Sequence, residues 1–293
     1  MLDIKDGLRE TRLGYAVDLG RKNLPLLNNP DIPRGLDYLI LETTYGGRLH
    51  DPIEEAKSKL CDAVKRTVER SGKVIIPSFS LERTQEIIYY LNALLKEKAI
   101  TPIPIYIDSP LAIDITEVFQ YHAEFLNSQT RQAIESGNDP FENLNVRYVC
   151  DQKESKALNN DKRPMIIIAG SGMCESGRIL HHLKNNIEDT RNTILVVGYM
   201  AKDTLGKRIV NEERIVRIFG IEYELNAEVI VINSFSGHAD KNELNDFVKE
   251  CGPLKQVFLV HGDEDQSQAL FDTFNQESIK AYIPSKDEEI ILK

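Results

Sequence analysis

The sequence contains no tryptophan, only four cysteines and no apolar run long enough to cross a membrane. The cysteines are widely spaced and form no Cys-x-x-Cys pair, which disfavours a zinc ribbon and is typical of reduced thiols in a cytoplasmic protein. The first residues are charged where a signal peptide would be apolar, so no secretory leader is expected. These features predict a soluble, cytoplasmic protein that has no membrane partner.

Basic residues are also scarce. The chain has 36 Lys and Arg against 46 Asp and Glu, which gives a formal net charge of −10. This balance excludes a protein that coats nucleic acid non-specifically, because such binding depends on neutralising many phosphates. It still allows a nucleic-acid enzyme whose basic residues are concentrated in one cleft. At 293 residues the chain is long enough for two domains of ordinary size.

A nucleotide fingerprint is missing, since the chain has neither Gly-x-Gly-x-x-Gly spacing nor a Gly-Lys-Ser/Thr sequence. What it has instead is an alternation of short apolar runs with amphipathic stretches. Apolar runs at 74–77, 103–107 and 165–169 each lead through a loop into a helical pattern. This alternation predicts an α/β protein with a mainly parallel sheet. The polar segment 128–160 predicts little regular structure apart from a strand at 146–149.

Capping and turn signals predict further elements. Ser109 can cap, and Pro110 can open, the helix that follows the run 103–107. Residues 215–225 predict a hairpin, and residues 281–284 and 290–292 predict the last strands of the sheet. His181 and His182 are adjacent on a helix and point about 100° apart, so at least one of them is expected to serve packing.

Chemically useful side chains follow several predicted strands. Asp18 and Glu42 each come directly after one, and His238 and His261 follow the apolar runs 229–232 and 257–260. Because the carboxyl edge of a sheet is where ligands bind, these side chains are expected to share a site. Carboxylates that orient histidines suit either metal binding or acid–base chemistry.

A second set of residues is suited to binding phosphate. The glycine-rich loop 170–177, which includes Ser171 and Gly172, precedes a helix that begins near Arg178, and a helix amino terminus favours anions. Arg83 and Arg178 each lie in a first helical turn and offer the planar fork that phosphate prefers. The alternative is that these arginines form ordinary salt bridges. That alternative is favoured for Arg83 and is equally weighted for Arg178.

Seven sequence motifs lie in order at residues 18–21, 42–46, 77–86, 108–110, 171–183, 235–240 and 260–262. In type and order they resemble the motifs of the beta-CASP nucleases of the metallo-beta-lactamase superfamily, which include the nuclease that cleaves messenger-RNA precursors at the polyadenylation site. The resemblance implies a partial metallo-beta-lactamase αββα fold with an inserted Rossmann-like beta-CASP domain. The lactamase-like parts would be residues 1–46 and 211–293, and the inserted domain would be residues 47–210.

The resemblance also implies a zinc-dependent RNA phosphodiester hydrolase of the messenger-RNA processing or decay type, acting on single-stranded RNA. Asp18 matches the carboxylate that bridges two zinc ions, and His261 matches a ligand of one ion. His238 matches the general acid near the scissile phosphate, and Glu42 matches the residue that orients it. The positions expected near the RNA backbone are Ser236, Ser171, Gly172, Arg178 and Arg83.

One part of the family pattern is absent. The motif His-x-His-x-Asp-His precedes the bridging aspartate in the family, whereas only seventeen residues precede Asp18 here, and His50, His122, His181 and His182 lie at the wrong places to replace it. Val17 also stands where the family usually has glycine. A zinc ion takes about four ligands. The remaining ligands are therefore expected from a separate amino-terminal lactamase half, a longer native protein or a homo-oligomer.

Two other interpretations follow from the same residues. The chain could be a non-catalytic RNA-binding or scaffold subunit of a processing complex, although such a subunit has no need of Asp18, Glu42, His238 and His261. It could also be an unrelated nucleotide-binding α/β protein, which the missing fingerprint disfavours. A further prediction concerns folding. The sheet that contains residues 229–232 should expose an apolar face and associate with another copy or a partner.

Overall fold

The computed structural model describes residues 1–292 and has an α/β architecture. The helices are α1 (Ile53–Glu69), α2 (Arg83–Lys96), α3 (Pro110–Tyr121), α4 (Ser128–Glu135), α5 (Gln152–Asn160), α6 (Arg178–Asn186), α7 (Leu205–Val210), α8 (Lys241–Cys251) and α9 (Glu264–Gln276). The strands are β1 (Leu2–Asp6), β2 (Arg9–Ala16), β3 (Tyr38–Glu42), β4 (Lys73–Pro77), β5 (Ile105–Ile107), β6 (Val146–Tyr148), β7 (Met165–Ala169), β8 (Thr193–Val197), β9 (Ile215–Ile218), β10 (Ile221–Glu224), β11 (Glu228–Ile232), β12 (Gln256–Val260) and β13 (Ala281–Tyr282). None of the described helices combines the length and apolar composition needed to cross a membrane.

The chain divides into two compact units. The first unit comprises Met1–Leu24, Asn28–His50 and the chain from Gly237 onward, and the second comprises Pro25–Leu27 and Asp51–Ser236. The second unit continues past residue 210, where the inserted domain is predicted to end, because β9, β10 and β11 fold with it. The boundaries 47–210, which the family resemblance implies for the inserted domain, stay a prediction.

The second unit is built on a six-stranded sheet of order β11-β8-β4-β7-β5-β6, in which every pairing is parallel. The side chains of alternate residues in these strands pack into two separate hydrophobic cores. One core contains Val74 and Ile76 with side chains of α1 and α2, and the other contains Ile75 with side chains of α6 and α7. Since residues along a strand point to opposite faces, helices cover both faces of this sheet. The predicted α/β class and parallel sheet are confirmed.

Local signals begin and end several elements where the sequence predicts. Ser109 accepts a hydrogen bond from the backbone N–H of Ala112, and Pro110 occupies the first turn of α3, so this helix has the predicted cap. The antiparallel pair β9 and β10 is the hairpin predicted for residues 215–225. Other predictions are wrong. Residues 128–160 form α4, β6 and α5, and residues 290–292 form no strand.

The first unit has a mixed five-stranded sheet of order β1-β2-β3-β12-β13. Leu39 and Leu41 of β3 and Leu259 of β12 pack against α8 and α9. The prediction that residues 229–232 belong to this sheet is wrong, since β11 pairs with β8 in the second unit. Both β11 and β12 are five-residue runs of mostly apolar residues, so their composition does not specify a sheet. Long-range pairing decided it.

Candidate active site

The four residues of the predicted site lie together in the first unit. Asp18 follows β2, Glu42 ends β3, and His261 follows β12, so three of them lie at the carboxyl ends of neighbouring strands. His238 lies just before α8. Its backbone forms an antiparallel bridge with Gly20, and the N–H of Ala239 donates to the carbonyl of Leu19 at 2.8 Å. These contacts bring His238 to the same edge without a strand of its own.

Glu42 is the buried residue of the site, and its side chain has no exposed surface. One carboxylate oxygen accepts a hydrogen bond from the backbone N–H of Leu19, and the other lies 2.8 Å from Nδ1 of His238. When the imidazole is neutral, this contact places its proton on Nδ1. Nε2 is then the nitrogen that can accept a proton from a reacting group or, once protonated, donate one.

Asp18 and His261 form the exposed part of the site. The Asp18 side chain is 72% exposed, and its Oδ1 lies 3.3 Å from Nε2 of His261 and 3.8 Å from Nδ1 of His238. The imidazole rings of His238 and His261 are 6.1 Å apart, centroid to centroid. Four side chains that are widely separated in sequence therefore form one connected cluster, with its carboxylate anchor buried and its outer donors open to solvent.

The loops after β3 and β12 hold Glu42 and His261 in place. Thr43 Oγ1 donates to the carbonyl of Val260 at 3.1 Å and lies 2.7 Å from the hydroxyl of Ser267. Gly262 packs directly on this loop, since an added Cβ would lie 2.6 Å from the Thr43 carbonyl oxygen. A residue larger than glycine would force the two loops apart.

The described donors fit only part of a zinc site. Two ligands of one tetrahedral zinc, bound at about 2.0–2.1 Å each, lie roughly 3.4 Å apart. The 3.3 Å separation of Asp18 Oδ1 and His261 Nε2 matches one edge of that tetrahedron. However, residues 1–292 contain no group of three or more His, Cys, Asp or Glu side chains arranged to hold a metal ion. The chain as described therefore does not supply a complete zinc site.

Both outer donors have unusual backbone conformations. Asp18 has φ of 61° and His261 has φ of 52°, in the left-handed region that residues other than glycine seldom adopt. Strain of this kind concentrates at functional sites, where the side chain is needed in spite of its backbone cost. The two residues that could bind a metal are thus held by the fold at some expense in stability.

The strain at His261 leads to a testable prediction. His261→Gly should be more stable than His261→Ala by about 1 kcal/mol, because glycine adopts a positive φ without steric penalty. Urea unfolding of the two variants measures the difference. The same pair of substitutions at Gln256, within β12, is the control and should give the opposite order. Equal stability of the two His261 variants would contradict the strain argument.

His50 supports the site, and sequence reasoning missed this role. Its Nε2 lies 3.0 Å from the carbonyl oxygen of His238, and its backbone N–H donates to Asp240 at 3.1 Å. Asp240 also begins α8 through a capping box with Glu243. Burial and the nearby Arg21 lower the pKa of His50 to about 4. The ring is therefore neutral near pH 7, and its contact with His238 is a neutral hydrogen bond.

The lowered pKa of His50 predicts a loss of stability in acid. The unfolded chain, with a histidine pKa near 6.5, binds the proton more readily than the folded chain. The neutral His50 ring therefore contributes to the free energy of unfolding fully above pH 6.5, and this contribution is lost as the pH falls towards 4. The loss between pH 7 and pH 4.5 amounts to about 2 kcal/mol. Urea unfolding at both pH values should show a smaller pH difference for His50→Gln, which stays neutral. An unchanged pH difference would contradict this assignment.

The predicted phosphate-binding residues lie in the second unit, where most of them make internal contacts. Ser171 Oγ accepts hydrogen bonds from the N–H groups of Glu175 and Ser176, at 3.2 and 3.3 Å. Gly172 packs against the ring of Phe79. Ser236 Oγ is buried and forms no hydrogen bond with any described residue. Binding of RNA at these positions stays a prediction.

Both predicted phosphate-binding arginines pair with carboxylates inside the second unit. Arg83 is buried and pairs with Glu86 in the first turn of α2, so neither a free phosphate ligand nor a surface salt bridge describes it. Arg178 donates from Nη1 to Asp108 at 2.6 Å and to the Val149 carbonyl at 2.9 Å. Its guanidinium is therefore engaged in holding the unit together, and any bound phosphate would have to share it.

Asp108 is the buried centre of this second network. It accepts hydrogen bonds from Arg178, from His182 Nε2 at 2.6 Å and from Ser155 at 2.5 Å. Burial alone would raise the pKa of Asp108, but the hydrogen bonds from His182, Ser155 and Arg178 outweigh it and leave the pKa lowered. His182 is completely buried, which confirms that one of the two adjacent histidines serves packing.

Comparison with known proteins identifies the family of this sequence. The Beta-Casp domain model matches residues 84–209, and a model described as a Zn-dependent metallo-hydrolase RNA specificity domain matches residues 222–284. A ribonuclease of Thermus thermophilus is 37% identical over 258 residues, which are 88% of this chain and 59% of that protein.

Two archaeal relatives show the same partial coverage. Transcription termination factor FttA of Methanosarcina mazei is 32% identical over 89% of this chain and 42% of its own length. An RNase J-like protein of Methanocaldococcus jannaschii is 29% identical over 90% of this chain and 58% of its own length. The chain thus spans between about two fifths and three fifths of the length of these relatives. With both family models and the motif residues assembled at one edge of a sheet, the chain belongs to the beta-CASP family of the metallo-beta-lactamase superfamily.

Proposed function

We propose that this chain is part of a zinc-dependent RNA phosphodiester hydrolase that cleaves single-stranded RNA. The observation that carries the proposal is the hydrogen-bonded pair of Glu42 and His238 at 2.8 Å, with Asp18 and His261 beside it. The relatives named as a ribonuclease and as an RNase J-like protein support the substrate class. Processing or decay of messenger RNA is the expected context.

His238 is proposed as the group that donates a proton to the leaving oxygen of the RNA. Glu42 holds Nδ1, so the ring presents Nε2 towards the reacting phosphodiester. General acid catalysis by a positioned side chain contributes about 10²–10⁴-fold to rate. Asp18 and His261 are proposed as two zinc ligands. The remaining ligands would come from another polypeptide segment or a second copy, because the described residues do not complete the site.

The sheet of the first unit has a face suited to such a partner. The register aligns Tyr15 with Ile40, Ile40 with Phe258, and Phe258 with Tyr282 in one row across the sheet. These residues point away from the face that α8 and α9 cover, since they alternate with the buried core residues of their strands. Leu2 and Tyr15 are well exposed and Tyr282 is 37% exposed, whereas Phe258 is buried, so the exposed part of this face lies mainly over β1 and β2. We propose that a second β-sheet packs on this face.

The test combines metal analysis with RNA cleavage. Zinc content is measured by elemental analysis of the purified chain, and cleavage of a labelled single-stranded RNA is followed with and without a separately expressed segment that carries His-x-His-x-Asp-His. We expect zinc binding and cleavage only with that segment, and loss of both in His261→Ala. His122→Ala, at an exposed histidine of the second unit, is the matched control and should change neither.

A second candidate function is an RNA-binding or scaffold subunit without catalysis. The specific observation in its favour is that the described residues supply only one edge of a metal site. RNA binding that persists in EDTA and is unaffected by His261→Ala, together with no cleavage after addition of the second segment, would support this function and contradict the nuclease proposal.

The face of the first unit's sheet that α8 and α9 do not cover leads to a further prediction. The isolated chain should bind a hydrophobic dye and self-associate, because an apolar face of this kind is an interaction surface. Tyr15→Lys should reduce both dye fluorescence and the sedimentation-derived mass. The control is Leu144→Lys, which changes an exposed leucine of the second unit. A monodisperse chain that binds no dye would contradict the prediction.

A further inference from the structure

Helix α3 carries a row of large apolar side chains on its solvent face. Leu111, Val118 and Tyr121 are between 54% and 81% exposed, and Phe125, just beyond the helix, is also exposed. Positions 111, 118 and 121 recur at intervals of seven and three residues. They therefore lie along one side of the helix. We call Leu111, Val118 and Tyr121 the α3 stripe.

The opposite side of α3 is firmly packed. Ala112 and Thr116 are buried, and Thr116 Oγ1 accepts a hydrogen bond from Gln85 Nε2 at 2.9 Å. Gln85, in α2, also donates to the carbonyl of Ser80 at 3.1 Å. Because the inner side is held by these contacts, the helix cannot rotate to bury the stripe without breaking them. The exposure of the stripe follows from how α3 is docked.

The charges along α3 are of one sign. Asp114 lies within the stripe, three residues after Leu111 and four before Val118. Glu117 lies beside the stripe and Glu124 follows the helix, while residues 110–127 contain no lysine or arginine. His122 lies 3.0 Å from Glu124, through its Nδ1. A phosphate backbone would be repelled by this surface. A second copy of the stripe would likewise place acidic residues against acidic residues.

We propose that the α3 stripe docks a protein segment that presents apolar side chains flanked by lysine or arginine. Apolar anchors at intervals of three, four and seven residues are the pattern by which amphipathic helices are recognised. The acidic residues Asp114 and Glu117 would select the basic partner and set its orientation. This interaction surface lies in the second unit and goes beyond the proposed nuclease function.

The experiment uses the full chain and two synthetic amphipathic helical peptides of about 18 residues. Both peptides carry leucine at heptad positions, and they differ only in having lysine or glutamate beside the leucines. Fluorescence anisotropy should show the lysine peptide binding at least tenfold more tightly than the glutamate peptide. Asp114→Lys combined with Glu117→Lys should reverse this preference.

Variants of the stripe locate the binding. Val118→Ser combined with Tyr121→Ser should weaken the lysine peptide about tenfold or more, while circular dichroism confirms that the variant is folded. Leu144→Ser is the control, because it removes a fully exposed apolar side chain outside the stripe and should leave the affinity unchanged.

Four results would overturn the proposal. Equal affinity for the two peptides, or equal weakening by Leu144→Ser, would show non-specific apolar binding. A dimer in sedimentation velocity that dissociates in the Val118→Ser and Tyr121→Ser variant would identify a second copy as the occupant. Single-stranded RNA that displaces the lysine peptide from the unaltered chain but not from that variant would identify a nucleic-acid site instead.

Discussion

Replacing Asp108 by alanine is expected to lower the free energy of unfolding by about 3–5 kcal/mol. The carboxylate is completely buried and accepts hydrogen bonds from Arg178, His182 and Ser155. Its removal would leave the largely buried guanidinium of Arg178 without its counter-charge and Nε2 of His182 without its acceptor. Urea unfolding measures the effect.

The stabilisation by Asp108 should also depend on pH. The pKa of Asp108 is lowered in the folded chain, so its contribution to the free energy of unfolding is complete above the pKa of the unfolded chain. This contribution is lost as the pH falls through the pKa of the folded chain. The control for the substitution is Asp161→Ala, which removes the partner of the well-exposed Arg163 and should have a much smaller effect. A comparable loss of stability in both variants would contradict the special role of Asp108.

Replacing Glu42 by glutamine is expected to disturb both the stability and the chemistry of the active site. Glutamine is nearly isosteric, but its amide can offer only one acceptor oxygen to the two donors, the Leu19 N–H and His238 Nδ1. A buried donor left unsatisfied costs about 1–3 kcal/mol. Under the proposed nuclease function, the loss of His238 orientation should lower kcat by about 10²–10⁴-fold.

The state of His238 can be measured without activity. Long-range proton–nitrogen correlation spectra should show the Nδ1–H tautomer in the unaltered chain and a mixture of tautomers in Glu42→Gln. His238→Ala, which removes the imidazole, identifies its signals. A single unchanged tautomer in Glu42→Gln would contradict the proposed role of the carboxylate.

The sequence predicted much of the local structure correctly because the signals were local. The apolar runs at 74–77 and 165–169 are buried strands, and Ser109 and Pro110 begin α3 as expected. By contrast, residues 128–160 were predicted to have little regular structure, although they form two helices and bury Phe141. Their polar composition concealed the few apolar residues that bind them to the core.

Asp18, Glu42, His238 and His261 lie together as expected, although one reason for that expectation was wrong. His238 and His261 were each expected to follow a strand at the carboxyl edge of one sheet. In the structure, β11 belongs to the six-stranded sheet, and His238 reaches the site through its bridge to Gly20. The supporting role of His50 had no local signal, because its contacts with His238 and Asp240 span more than 180 positions.

The sequence by itself determined the α/β class, the alternation of strands and helices at residues 74–96 and 165–186, and the four candidate site residues that match the family motifs. These follow from periodicity, capping and motif order, which are properties of neighbouring residues. Only the tertiary structure decided which sheet β11 joins, that Arg178 is held by a buried Asp108, and that the α3 stripe faces solvent. Each of these depends on contacts between distant segments, which local composition does not encode.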